Sequence, residues 1–83
     1  MNKILVGLTV PAIQERYDLL VPVNIEIAQL MKLLVDGVSE IYSGHYTPSG
    51  LSLLTMKNPD ILLQPGKTLA DYGAADGSQL VLF

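Results

Sequence analysis

The run from Asn24 to Tyr42, NIEIAQLMKLLVDGVSEIY, repeats its apolar residues at helical rather than strand spacing. At about 100° per residue, Leu30, Ile41, Leu34, Ile27, Val38, Met31, Tyr42 and Val35 fall within one arc, and Gln29, Lys32, Asp36, Ser39 and Glu40 fall opposite. The pattern predicts an amphipathic helix of about five turns. Asn24 is its expected N-cap, and Glu26 is placed in the positive first turn. Gly37 interrupts the run at a cost of up to about 1 kcal/mol, and Gly44 stands where a left-handed residue would end it. Leu33 and Ile25 fall outside the arc and are expected to be exposed.

Around this helix the period changes to two. Ile4, Val6, Leu8 and Val10 alternate before Pro11, and Tyr17, Leu19 and Val21 alternate again, which predicts an antiparallel hairpin. Residues 43–50 are rich in turn formers and read as a loop. Leu51 and Leu53 are then expected inward on a third strand, with Ser52 and Leu54 outward. A turn at Asn58-Pro59-Asp60 leads to a short strand at Ile61-Leu62-Leu63. Pro65-Gly66 suits a type II turn, Thr68 to Asp71 has capping-box spacing, and Asp76-Gly77 turns the chain into a last strand, Gln79 to Phe83. One helix can cover only one face of a sheet, so the expected architecture is a two-layer α+β domain. The first and last strands are expected to be central and parallel, since the crossover through the helix permits it.

Eighty-three residues, 49% of them hydrophobic and 16% charged, make one small domain over residues 1–83, too short for a two-domain enzyme. There is no cysteine, hence neither a disulfide nor a thiolate metal site. Eight acidic against five basic residues give a net charge of −3, which opposes phosphate neutralisation and argues against a nucleic-acid partner. Apolar runs are far shorter than the roughly 20 residues of a membrane span, and the N-terminus lacks a signal peptide's features. Direct membrane insertion is therefore not expected, and the chain is read as cytoplasmic.

Chemistry finds little to work with. His45 is the single histidine and reads as a solvated loop residue; a triad of Ser43, His45 and Asp60 lacks any nucleophile-elbow pattern. Asp71 and Asp76 are explained by a capped turn and an Asp-Gly turn, and Tyr72 by a ring whose hydroxyl meets backbone. Neither a P-loop nor a dinucleotide fingerprint occurs, so no cofactor is expected and the chain is not read as an enzyme.

Period two has a further consequence. If Ile4, Val6, Tyr17, Leu19, Leu51, Leu53, Leu80 and Leu82 face the helix, then Leu5, Leu20, Leu54, Val81 and Phe83 lie on the opposite face. The sheet would be apolar on both sides, with a patch of several hundred Å² that fits a protein partner or an isologous homodimer. A shift of register by one residue would reverse the assignment for the strand concerned.

The order of elements resembles the β-grasp, or ubiquitin-like, fold: a mixed sheet of four to five strands packed on one long helix. Residues Leu63-Gln64-Pro65-Gly66-Lys67-Thr68-Leu69-Ala70-Asp71-Tyr72 look like the equivalent stretch of ubiquitin. Tyr17-Asp18-Leu19-Leu20-Val21-Pro22 and residues 69–82 are more similar to the bacterial EsaB/YukD proteins of type VII (WXG-type) secretion systems. That resemblance implies a cytosolic accessory or regulatory protein whose partner is a secretion-system component. It also places Leu54 and Val81 on the strands that carry ubiquitin's recognition face. A rival reading is the cytosolic ubiquitin-like domain of an EccD-like membrane component; another is a conjugated modifier or sulfur carrier, against which the ending Leu82-Phe83 stands in place of Gly-Gly.

Overall fold

The computed structural model describes residues 3–42, 53–58 and 60–83. Strands β1 (Lys3–Val10) and β2 (Glu15–Pro22) are joined by a 3-10 turn at Pro11–Ile13; α1 (Ile27–Ile41) follows, then β3 (Leu54–Met56), β4 (Ile61–Leu62), a second 3-10 turn at Ala70–Tyr72, and β5 (Gln79–Leu82). The strand order is β2-β1-β5-β3-β4, with β1 and β5 parallel and every other pair antiparallel. The parallel central pair and the single covering helix are those expected from the sequence.

The helix buries Ile27, Leu30, Leu34 and Val38. These four share one core cluster with Val6, Leu8 and Val10 of β1, Leu54 of β3, and Leu80 and Leu82 of β5. Fully burying one such side chain is worth about 1.5–3 kcal/mol, so this seam supplies most of what holds a chain of this size together.

Several expectations are corrected by the packing. The N-cap is Glu26, without a side-chain capping bond, and not Asn24. The Ile27 and Ala28 amides instead donate to the carbonyls of Lys67 (2.7 Å) and Pro65 (3.1 Å), so a distant turn satisfies the helix's orphan donors. Ile41, at the last position of α1, is exposed, whereas Ile25 is half-buried against the core. The expected C-terminal Gly44, together with His45, Leu51 and Ser52, lies outside the described residues.

The largest correction concerns β3. Leu54 and Met56 pair directly opposite Leu82 and Leu80, and directly opposed residues on neighbouring strands share a face. Both therefore point to the helix, and Leu54 is 0% exposed, while Leu53 and Thr55 turn outward. The register is one residue away from the expected one.

The polar residues of the second turn and its surroundings act structurally, Thr68 and Asp71 as their spacing predicts and Asp76 through a bond to a distant strand. The Thr68 amide donates to Asp71 Oδ2 at 2.9 Å, and the Asp71 amide donates to Thr68 Oγ1 at 3.2 Å. The Gln64 amide donates to the Tyr72 hydroxyl at 2.9 Å, and the Leu5 amide to Asp76 Oδ1 at 2.8 Å. Because the Thr68–Asp71 turn follows directly on the carbonyls that hold the start of α1, Asp71→Ala is expected to lower unfolding free energy by about 1 kcal/mol, with a smaller loss for Asp71→Asn. Urea denaturation of the three proteins checks this.

Candidate protein-binding face

The face of the sheet turned away from α1 is built by the alternate residues of each strand. Lys3, Leu5, Gly7 and Thr9 of β1 stand beside Pro22, Leu20, Asp18 and Arg16 of β2, in that register. On the other side, Gly7 adjoins Gln79 and Thr9 adjoins Val81 of β5; Val81 in turn pairs with Thr55, and Thr55 with Leu62. Beyond the last strand pair, Leu53 and Phe83 exchange backbone hydrogen bonds of 3.2 and 2.8 Å.

This layout divides the five residues expected to form one patch. Leu5 and Leu20 are cross-strand partners and both are exposed, at the β1–β2 corner. Val81 and Phe83 lie at the opposite corner, with Leu53 and Leu62 exposed around them. Val81 is 5% exposed, the floor of a depression lined also by Thr55, Lys57, Asp60, Leu62 and Phe83. Leu54 belongs to neither corner, since it is in the core. Assigning it to the outer face fails because β3 takes its register from Leu80 and Leu82. The residues missed by the sequence reading are Leu53, which the same slip brings out, and Leu62.

A polar strap separates the corners. Arg16 Nη1 contacts Asp18 Oδ1 at 3.2 Å, and Arg16 Nη2 donates to Gln79 Oε1 at 3.0 Å, bridging β2 to β5 across β1. The crossing point is Gly7: a Cβ there would sit 2.5 Å from both Arg16 Nη2 and Gln79 Oε1. A glycine within a strand is the sequence signal for such a close approach. Both ionic partners are more than half exposed, so the pair contributes at most about 1 kcal/mol, and it shapes the face more than it stabilises it.

Among the described residues, no group of three or more His, Cys, Asp or Glu side chains is placed to hold a metal ion. Among them too, no helix is long and apolar enough to cross a membrane. What the face offers is shape and apolar area.

The family model for the WXG100 secretion-system protein YukD matches residues 5–82. The chain belongs to the YukD family. Comparison with curated proteins gives no match. Among solved structures, the ubiquitin-like domain of the Mycobacterium tuberculosis type VII secretion protein ECCD1 is similar with a TM-score of 0.77 at 21% identity, over 99% of this chain and 98% of that one. Ubiquitin from Caldiarchaeum subterraneum aligns with a TM-score of 0.71 at 20% identity, over 98% of this chain and 91% of that one. The ubiquitin-like domain of Plasmodium falciparum Dsk2 gives 0.68 at 19%, over 98% and 99%. These likenesses establish the ubiquitin-like β-grasp fold, and family membership makes this a secretion-associated ubiquitin-like domain.

Two substitutions separate core from face. In Leu54→Glu, losing the leucine alone costs about 2–5 kcal/mol, and a buried charge adds to that, against roughly 4–12 kcal/mol of total stability for a chain this long. Leu62→Glu, at an exposed site, should stay within about 0.5 kcal/mol of the parent. Circular dichroism melts are expected to show no cooperative transition for the first and a parent-like one for the second. In Gly7→Ala, relief of backbone entropy (about 0.5–1 kcal/mol) and loss of the Arg16–Gln79 bond (about 0.5–1.5 kcal/mol) nearly cancel, so the melting temperature should hardly move. The Arg16 side-chain resonances of that variant should shift in NMR spectra as the strap opens.

Proposed function

We propose that this domain is a non-catalytic docking module of the WXG100 (type VII) secretion machinery, working in the cytoplasm by binding a protein component of that machinery. The observation that carries the reading is the outer corner where exposed Leu53, Leu62 and Phe83 surround Val81. Three large apolar side chains grouped on one side of a small domain that also buries a full core are best explained by a partner that covers them. Lys57 and Asp60 at the edge of the depression supply a polar rim of both signs, as protein interfaces commonly have. Leu5 and Leu20 form a smaller, second contact across the strap.

The test is affinity capture from the native cell, with parent, Leu62→Glu and Phe83→Glu proteins as bait. Recovery of secretion-system components by the parent, and their loss by roughly tenfold or more with either folded variant, is the expected result. Retention of the same components by both variants would refute this use of the corner. Light scattering on the same proteins covers the homodimer: a parent dimer turned monomeric by Leu62→Glu would assign the corner to self-association instead.

A further inference from the structure

A second apolar feature lies at the other edge of the molecule, away from the outer corner. Between β2 and α1 runs a groove of about 200 Å³ whose strand wall carries Tyr17, Leu19 and Val21 and whose helix wall carries Leu33, Gly37 and Ile41. Leu33 and Ile41 are exposed, although the buried stripe of the helix passes directly beside them. We propose that this groove receives an extended apolar peptide segment flanked by lysine or arginine, which adds to β2 as a further strand.

Three observations converge on that occupant. The first is Gly37. A mid-helix glycine is less favourable than alanine because it loses more backbone freedom, and where one is kept a neighbour usually needs the room. Here a Cβ would meet nothing within 4 Å among the described residues. The fold does not need the missing side chain, and its absence keeps the helix wall open between Leu33 and Ile41.

The second is the edge. β2 is the terminal strand of the sheet and pairs only with β1 among the described residues. A helix laid in the groove would cover the free peptide groups of β2 without satisfying them, at the cost of their desolvation. An added strand satisfies them as it covers them. Arg16 and Asp18 on one side and Pro22, which lacks an N–H, on the other confine the pairing to the uncharged stretch Leu19–Val21. That limits the incoming strand to about four residues.

The third is charge. On the helix, Glu40 lies next to Leu33 on the side away from the core, and Asp36 lies beyond it. Asp36 and Glu40 stand toward the negative end of α1, whose last turn has no basic residue. The one ion pair among the described residues is Arg16–Asp18, so Lys32 does not neutralise Asp36 by contact. On the strand side, partial burial and the nearby Glu15 carboxylate, with Tyr42, push the Tyr17 hydroxyl above the ordinary tyrosine range. Acidic groups held against the helix dipole and without ionic partners among the described residues call for cations from outside. They also repel a second copy of the same edge, which would bring the same carboxylates.

The experiment uses an octapeptide with paired lysines at each end and a Val-Ile-Val-Ile centre, titrated into the isotopically labelled protein. The expected result is saturable amide shifts at Asp18–Val21 and along the Leu33–Ile41 face, with about tenfold or greater weakening when the flanks are glutamate. N-methylation of the peptide amides that face β2 should abolish binding. Gly37→Leu, which fills open space, should fold with an equal or higher melting temperature and lose the peptide, and Asp36→Lys with Glu40→Lys should reverse the flank preference. Leu62→Glu should bind the peptide unchanged, so failure here is distinguishable from failure of the outer corner. Equal binding of both flank types, shifts confined to the outer face, no binding by the parent, or binding that survives Gly37→Leu would each overturn the proposal.

Discussion

One helix has to shield the inner side of five strands, and its seam of Ile27, Leu30, Leu34 and Val38 against β1, β5 and β3 is the contact on which everything else rests. In a chain of 83 residues there is too little interior for a second core. The strands therefore take whichever register delivers the largest side chains to that seam. Leu80 and Leu82 on the central strand set the pattern, and β3 follows by placing Leu54 and Met56 opposite them.

The start of the helix ties this seam to the rest of the chain. Its first donors are answered by the Pro65 and Lys67 carbonyls, and the Ala70 amide reaches back to Val23 at 3.0 Å. The reciprocal Thr68–Asp71 pair holds the same turn in shape. A bond between residues some forty positions apart does the work a local cap would otherwise do, so helix, turn and hairpin stand or fall together.

What is left outside the seam becomes the surface available for recognition. Period two obliges the strands to present residues away from the helix, and a chain with so few charges presents apolar ones there. The Arg16–Gln79 strap over Gly7 breaks that surface into two corners, and the helix, being too narrow, leaves a third apolar opening beside β2. Each of these features follows from how little one helix can cover.

The amino-acid sequence by itself determined the class of fold, the helical stripe, the parallel terminal strands, and the structural duties of Asp71 and Tyr72, because these depend on periodicity and on bonds between residues close in the chain; the Asp76 carboxylate instead accepts from the distant Leu5 amide. The likeness of residues 63–72 to ubiquitin, and of the hairpin and C-terminal stretches to the YukD proteins, carried the family as well. Alternation alone could not choose between Leu53 and Leu54, since in a run of consecutive leucines either phase is apolar; the pairing with β5 made that choice. Nor could it foresee that carbonyls from residues 65 and 67 would displace Asn24 as the cap, or that Arg16 would cross a glycine to reach Gln79. Register, capping from a distance and the division of the outer face were left to tertiary structure, because each is a contact between segments whose separation along the chain carries no periodic signal.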